Sequence, residues 1–170
     1  MAFKVYLQYL LFSTVLAFSC SAYAEQPALN AFTFGSYQKI LAKQAKQPFI
    51  LVIWSITCPS CVKDMALLST LHKNWPALKM IMLSTDDIAE SEQVKAVLAK
   101  NQLAELENWV FAEENAQKLN YEIDPDWYAE LPRTYFFDAA HVRQGVSGVL
   151  SQKDYETLFV KIQKKPASVQ

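Results

Sequence analysis

The side chains of this sequence with the clearest chemical potential are two cysteines, Cys58 and Cys61, separated by two residues. They follow the apolar run "ILVIW" and open a segment whose apolar residues recur at helical spacing. A thiol at the start of a helix faces unpaired backbone N–H groups and the positive end of the helix dipole, which favour its thiolate form. Because the thiolate attacks disulfides, Cys58 is the candidate nucleophile and Cys61 the candidate resolving thiol. Pro59 fits the first helical turn, where a missing N–H costs no hydrogen bond.

Three other uses of a cysteine pair stay open at this point. A zinc site needs about four ligands, and only His72 and His141 are available among histidines, outside any second C-x-x-C or H-x-x-x-H. A static disulfide across so short a loop removes little entropy from the unfolded chain. A cysteine hydrolase needs a base, and neither histidine carries a local mark of that role. The spacing favours the redox use, so we expect no metal and no cofactor beyond the disulfide itself.

The elements that must position the pair follow from the apolar pattern. "PFILVIW" is a continuous apolar run of strand length, which predicts a strand buried on both faces. The segment that begins at Cys58 places Met65, Leu68 and Leu71 on one face, and Pro76 marks its end. The cysteines are therefore predicted to lie where a buried strand passes into a helix.

The rest of the chain alternates between strand and helix patterns. Helices are predicted over "SYQKILAKQAK", "SEQVKAVLAKNQL" and "EENAQKLNY", and strands over "ALKMIMLST", "NWVFA", "TYFFD" and "VRQGVSGVL", the last two joined by the turn "DAAH". A final helix begins with a capping box formed by Ser151 and Asp154. This order predicts an α/β sandwich with a mixed sheet.

The N-terminus predicts export. Lys4 is followed by an uncharged, mostly apolar run to Phe18 and by the small-x-small triplet "AYA" that ends at Ala24, which is typical of a cleaved secretory signal peptide. A retained membrane anchor is an alternative, although the run is shorter than the roughly 18 residues of a spanning helix. A lipoprotein attached at Cys20 is another, although "AFS" before it is a poor match.

Length and charge fit one exported domain. We predict a signal peptide over residues 1–24 and a single domain over residues 25–170, located in the periplasm or secreted. The net charge of −1 indicates no nucleic-acid partner, and 52% apolar residues allow a sizeable core.

The residues around the pair resemble thioredoxin-like thiol-disulfide oxidoreductases, specifically the exported TlpA/ResA type of cytochrome c maturation. The similarity covers roughly residues 34–161 and rests on "VIWSITCPSC", on Asp64 after the second cysteine, on "LPRTYFFD" and on "GVLSQKDYETL". The resemblance implies a thioredoxin-like three-layer sandwich, with a mixed central β-sheet flanked by helices. It also implies a cis-proline loop at Leu131 and Pro132 that lies against the redox pair and holds client backbone.

The same resemblance suggests how protons are handled. Relatives generally use a glutamate at the position of Asp64 to assist deprotonation of the second thiol, so Asp64 is the candidate acceptor, directly or through a water. The alternative for Asp64 is a solvated surface acid. The sequence departs from the family pattern at two positions: Thr57 replaces the usual aromatic before the first cysteine, and Val52 replaces the buried strand aspartate of thioredoxins. Trp54 is a supporting residue of the motif.

The segment "YEIDPDWYAELP" is longer than expected before the cis-proline. Its acids and aromatics are Glu122, Asp124, Asp126, Trp127, Tyr128 and Glu130. We predict that it lies beside the redox pair and that Trp127 helps to hold a partner with basic and apolar features. The alternative is a solvated loop with two core aromatics. Arg133, next to Pro132, is expected at the client site, and we hypothesise that it stabilises the Cys58 thiolate.

The sequence thus predicts an exported thiol-disulfide oxidoreductase that acts through Cys58 and Cys61. The resemblance favours the reducing direction and implies a membrane electron donor and exported client proteins that carry disulfides or thiols. We expect a monomer. The alternatives are a disulfide oxidase or isomerase, and a non-catalytic thioredoxin-fold binding module.

Overall fold

Residues 29–164 are described by the computed structural model, and the predicted signal peptide and Cys20 lie outside them. The strands in this range are β1 (Leu29–Phe32), β2 (Phe49–Trp54), β3 (Lys79–Asp87), β4 (Glu107–Phe111), β5 (Arg133–Phe137) and β6 (Arg143–Ser147). The helices are α1 (Ser36–Lys43), α2 (Pro59–Asn74), α3 (Ser91–Lys100), α4 (Ala116–Ile123) and α5 (Gln152–Gln163), with a short 3-10 helix at Ile88–Glu90.

The strands form one sheet in the order β1-β4-β3-β2-β5-β6. The pairs β1–β4, β4–β3 and β3–β2 are parallel, whereas β5 and β6 run antiparallel to their neighbours. The mixed sheet predicted from the alternating pattern is therefore confirmed. The sequence patterns missed β1, because its four residues "LNAF" are too few to show a strand period.

Helices cover both faces of the sheet and give the three-layer sandwich. The redox-side core, which contains Cys61, is built by α2, α3 and α5 against one face. The far-side core, which contains Trp127, is built by α1 and α4 against the other. Between them, all six residues of β2 are buried, as the continuous apolar run predicts.

Helix α2 meets the sheet through the face that the spacing predicts. Met65, Leu68 and Leu71 are each 2% exposed or less and lie in the redox-side core. Truncating such a side chain to alanine costs about 2–5 kcal/mol of stability. This packing fixes α2, and with it the cysteines at its start, against β2.

The remaining helix ends differ from the predicted spans by a few residues. Helix α3 stops at Lys100 because Gln102 takes a left-handed conformation with φ 58°. Helix α4 starts later than predicted, because the Asn115 side chain caps it by accepting the Lys118 N–H. The capping box of Ser151 and Asp154 is confirmed. Within the described range, none of the helices combines the length and the apolar character that crossing a membrane needs.

Candidate redox site

The redox pair lies where the sequence predicts, at the junction of β2 and α2. Strand β2 ends at Trp54, a short turn follows, and Cys58 is the N-cap of α2 with extended backbone angles. Pro59 occupies the first helical turn. The Cys58 Sγ accepts the Cys61 N–H at 3.2 Å, so the sulfur takes one of the orphan donors at the helix start.

The two sulfurs form a disulfide, with an S–S distance of 2.11 Å and Cα atoms 5.3 Å apart. They differ in access: Cys58 is half-buried, whereas Cys61 is 2% exposed. Ser60 adds a hydroxyl 3.3 Å from the Cys58 Sγ. Solvent and a partner thus meet Cys58 first, which suits attack by Cys58 and resolution by Cys61.

An aspartate that the sequence patterns did not single out anchors the turn before Cys58. Asp86, 6% exposed at the end of β3, accepts hydrogen bonds from the Ser55 hydroxyl at 2.7 Å, the Ile56 N–H at 2.9 Å and the Ser84 hydroxyl at 2.5 Å. The Cys58 N–H donates to the Ser55 carbonyl at 3.2 Å. The usable signal was an acid at the carboxyl end of the strand that neighbours β2 in a parallel arrangement.

Asp64 is buried, and the alternative of a solvated surface acid does not fit its 8% exposure. It lies three residues after Cys61 on α2, so both side chains share one helix face. Burial raises the pKa of the Asp64 carboxyl above its ordinary value. Within residues 29–164 nothing donates a hydrogen bond to this carboxylate. The buried acid of this site therefore comes from the helix, while Val52 keeps the strand apolar.

Neighbouring groups on the same face stay uncharged. Tyr155 is 1% exposed, and burial, reinforced by the charge of Asp64, raises the pKa of its hydroxyl. Its oxygen lies 3.5 Å from the Thr134 hydroxyl. Trp54, predicted as a supporting residue, is 1% exposed in the same core as Cys61. The pair of Cys61 and Asp64 therefore sits in a largely apolar environment.

The peptide between Leu131 and Pro132 is cis, which confirms the loop that the resemblance implies. Pro132 is buried, and its carbonyl accepts the Gly148 N–H at 2.8 Å. Strand β5 then begins with Arg133 paired to Ile53 of β2, so Pro132 lies where β2 ends and the redox turn starts. Leu131 is half-buried and packs against both cores, one of which contains Cys61.

No protein-family model and no curated protein sequence matches the chain. Solved structures do. A secreted Mycobacterium tuberculosis disulfide oxidoreductase homologous to E. coli DsbE aligns with a TM-score of 0.55 at 19% identity, over 71% of this chain and 85% of that one. A secreted thiol-disulfide isomerase from Corynebacterium glutamicum aligns with a TM-score of 0.58 at 16% identity, over 72% of this chain and 74% of that one. StoA from Bacillus subtilis aligns with a TM-score of 0.52 at 15% identity, over 68% of this chain and 84% of that one.

This chain has the thioredoxin fold. The likeness covers 68% to 72% of this chain in these three comparisons. In this thioredoxin-fold chain, no group of three or more His, Cys, Asp or Glu side chains among residues 29–164 is arranged to hold a metal ion.

The acidic and aromatic segment of the thioredoxin-fold chain differs from its prediction. Trp127 is 5% exposed and lies in the far-side core, so its ring is not available to hold a partner, whereas Tyr128 is 92% exposed. Three of the four acids bind inside the protein: Glu122 accepts the Gly35 N–H, Asp124 binds arginines, and Glu130 binds Ser147. The segment lies mainly over the far-side core, and its residue Leu131 also packs against the redox-side core.

Arg133 also lies elsewhere than hypothesised. Side chains alternate along a strand, so Arg133 shares the far-side face with Tyr135, while Thr134 faces the redox side. The guanidinium contacts Ser147 at 2.6 Å and Glu130 and Asp124 at 3.4 Å. None of its polar contacts within the described chain involves Cys58, so its geometry does not support the role of thiolate stabiliser.

Proposed function

We propose that this chain is an exported thiol-disulfide oxidoreductase that reduces disulfides in client proteins. The observation that carries the proposal is the asymmetry of the pair: Cys58 is accessible at the start of α2, and Cys61 is enclosed one turn further on. A structural disulfide has no need of this arrangement. The names of the similar structures, two of which are called secreted, agree with the activity and the compartment.

The proposed reaction has two exchange steps. The Cys58 thiolate attacks one sulfur of a client disulfide, so a mixed disulfide forms and the other client sulfur leaves as a thiolate. Cys61, deprotonated, then attacks the Cys58 Sγ, which forms the intramolecular disulfide and releases the second client thiolate. Both client thiolates take up protons. Two electrons move from the cysteine pair to the client, and no further cofactor is needed.

Asp64 has the proposed role of proton acceptor for Cys61. A thiol that is 2% exposed needs a nearby base before it can attack, because burial disfavours its thiolate. Asp64 shares its helix face and lacks hydrogen-bond donors among the described residues, so its carboxylate is free to take a proton. Its raised pKa brings the carboxyl closer to the pH at which the protein works, which favours proton transfer.

The cis-proline loop is the proposed site for client backbone. Among residues 29–164, none hydrogen-bonds to the backbone N–H or C=O of Leu131. Leu131 packs against the redox-side core that contains Cys61, and Arg133 pairs with Ile53 near the end of β2, so an extended client chain paired with the Leu131 backbone would approach the redox turn. This geometry suits a protein client better than a small molecule.

The reducing direction requires a donor that returns electrons to the pair after each turnover. Outside the cytoplasm this donor must draw on the membrane, and we propose such a partner together with a cleaved signal peptide and a monomeric domain. Measurement of the reduction potential against glutathione and dithiothreitol tests the direction. A value of about −270 mV supports the reductant, and about −120 mV indicates a disulfide donor instead.

Trapping tests the activity itself. In a Cys61→Ala variant, attack by Cys58 on a client leaves a mixed disulfide that nothing resolves. We expect this variant to accumulate disulfide-linked clients from an exported protein fraction, visible as bands that dithiothreitol removes. The matched control is Cys58→Ala, which keeps only the buried thiol and should trap far less. Equal or absent trapping by both variants would favour the binding module.

A further inference from the structure

One guanidinium joins the two ends of the segment before the cis-proline. Arg133 contacts Asp124, the first residue of the segment after α4, and Glu130, two residues before Pro132, each at 3.4 Å. It also donates to the Ser147 hydroxyl at 2.6 Å. Ser147 in turn donates to the same Glu130 carboxylate. The segment is thereby closed into a loop and tied to β6.

The start of the segment is fixed by a second set of contacts. Besides Arg133, Asp124 binds Arg143 at 2.8 Å, the Tyr135 hydroxyl at 2.9 Å and the Asp126 N–H at 3.2 Å. Burial opposes its ionisation, but these donors together outweigh burial and hold the pKa of the Asp124 carboxyl below its ordinary value. Asp124 is therefore a charged anchor at neutral pH.

A glycine leaves room for the arginine. Gly145 pairs with Tyr135 across the β5–β6 ladder, on the face over which Arg133 passes. A Cβ at Gly145 would lie 2.8 Å from the Arg133 Cζ and 2.8 Å from a ring carbon of Tyr135, closer than real contacts allow. The guanidinium also stacks 4.7 Å above the Tyr135 ring centre. Any larger residue at position 145 would force Arg133 from this path.

The end of the segment is the part that matters for a client. Glu130 is held by Ser147 and Arg133, and its carbonyl accepts the indole N–H of Trp127 at 3.1 Å. The next residue, Leu131, has free backbone groups within the described chain and packs against the redox-side core, which contains Cys61. Fixing Glu130 therefore fixes the direction in which the backbone of Leu131 points.

We infer that Arg133 is a positioning residue for protein clients: by closing the segment from Asp124 to Glu130, it holds the backbone of Leu131 ready to pair with an extended client chain. This inference rests on the proposed function. Arg133 itself touches neither sulfur, so its effect is confined to substrates that have a peptide backbone to pair. A small disulfide that reaches Cys58 without using Leu131 is indifferent to it.

The test compares two substrates in single-turnover oxidation of the pre-reduced chain. One is a disulfide-linked dimer of an extended synthetic peptide, and the other is oxidised mercaptoethanol, which has no backbone. For Arg133→Met we expect the half-saturating peptide concentration to rise about tenfold with an unchanged limiting rate, because binding rather than chemistry is lost. The rate with oxidised mercaptoethanol and the pH dependence of Cys58 alkylation by iodoacetamide should not change.

Two further variants guard against a merely structural effect. Arg143→Met removes the shorter of the two ion pairs to Asp124 but keeps the contacts of Arg133 with Glu130 and Ser147, so the peptide half-saturation should rise much less than in Arg133→Met. Gly145→Ala keeps every charge but displaces the guanidinium, so it should reproduce the rise seen in Arg133→Met. Circular dichroism of each variant confirms folding, and Arg133→Lys replaces Arg133→Met if the latter is unfolded, with the same expected rise.

The outcomes separate the inference from the proposed function. If the wild-type chain reduces both substrates and Arg133→Met leaves the peptide half-saturation unchanged, the inference is wrong and the proposed function stands. A slower reaction with both substrates, together with a raised Cys58 pKa, would also overturn it and return Arg133 to the thiolate. If the wild-type chain reduces neither substrate, the proposed function fails and the inference with it.

Discussion

Two buried aspartates on opposite faces of the sheet meet opposite environments. Asp64, in the redox-side layer, is 8% exposed and receives no hydrogen bond from residues 29–164, and burial raises its pKa. Asp124, over the far-side core, is 7% exposed, and although burial opposes its charge, two arginines, a tyrosine hydroxyl and a backbone N–H lower its pKa.

The difference is informative because the two acids are equally buried. A carboxylate with four donors has lost the freedom to change its protonation state near neutral pH, so it is suited to hold structure. A carboxylate without donors keeps that freedom, at a cost in stability, and such groups collect at functional sites. We therefore propose proton transfer for Asp64 and anchoring for Asp124, two roles that substitution of each aspartate can separate.

The largest expected effect is on stability, at Asp124. Asp124→Ala leaves Arg133 and Arg143 without their common carboxylate, and removal of one partner from a buried ion pair costs about 3 kcal/mol or more. Urea unfolding of the wild type and of Asp124→Ala measures this loss of stability. The control is Asp126→Ala in the same segment, where the exposed side chain should change stability by less than about 0.5 kcal/mol. The rate with oxidised mercaptoethanol should be unaffected by either change.

The pH dependence of this stability has a definite sign. Because the folded-state pKa of Asp124 lies below the ordinary value of about 3.9, its contribution is complete above that pH and is lost as the pH falls through the lowered pKa. The stability difference between the wild type and Asp124→Ala should therefore shrink on acidification. A difference that stays constant down to the acid transition would contradict the ionic role of this anchor.

The next effect is on rate, at Asp64. Asp64→Asn removes the proposed proton acceptor, and general base catalysis contributes about 10²-fold or more, so the step in which Cys61 resolves the mixed disulfide should slow by that order. Quenched-flow detection of the mixed disulfide measures this step. Asp64→Glu should recover most of the rate, because it restores the carboxylate. Full activity in Asp64→Asn would remove Asp64 from the mechanism.

Replacing Asp64 should raise the free energy of unfolding, whereas replacing Asp124 should lower it. The raised pKa of Asp64 means that the folded state holds the proton over a pH range in which the unfolded state has released it, so ionisation weakens the fold as the pH rises. Asp64→Asn should thus gain stability relative to the wild type above about pH 4, the ordinary carboxyl range, and match it below. A variant that is slower yet more stable distinguishes a working group from a structural one.

The same comparison explains what the sequence could predict. The redox pair, its helix and the buried strand β2 are encoded by neighbouring residues, so spacing alone located Cys58, Cys61 and the covered face of α2. The cis-proline was found because "LPRTYFFD" is a local motif of the family that the chain resembles. These parts of the fold and of the site needed no knowledge of distant contacts.

The far-side arrangement was not predictable in this way. The ten residues from 124 to 133 contain Asp124, Trp127 and Arg133. The roles of these three side chains depend on which face of β5 each one meets and on the space left by Gly145. A run of acids beside aromatics looks like a surface made for a partner, and only the tertiary contacts reveal that most of its charge is already paired. The role of Asp86 likewise depends on tertiary contacts, since its donors lie two to thirty-one residues away.

Asp86 provides the finest test of the comparison, because it is a buried acid that is fully hydrogen-bonded and yet adjoins the redox turn. Asp86→Asn replaces one accepting oxygen by a donor, and the turn loses one charge-assisted hydrogen bond, worth about 1.5 kcal/mol. Amide hydrogen exchange at Ile56 should accelerate by about tenfold, since 1.4 kcal/mol corresponds to a factor of ten.

The neighbouring Asp87 makes the control for this change. Among residues 29–164 its exposed carboxylate accepts only the Ala89 N–H, so Asp87→Asn should leave exchange at Ile56 unchanged. If Asp86 is an anchor of the Asp124 kind, faster exchange in Asp86→Asn will come without the slow resolving step seen in Asp64→Asn. If resolution by Cys61 slows as well, a fully hydrogen-bonded carboxylate shapes the chemistry through the turn, and the division between working and structural acids has to be drawn by position rather than by hydrogen bonding.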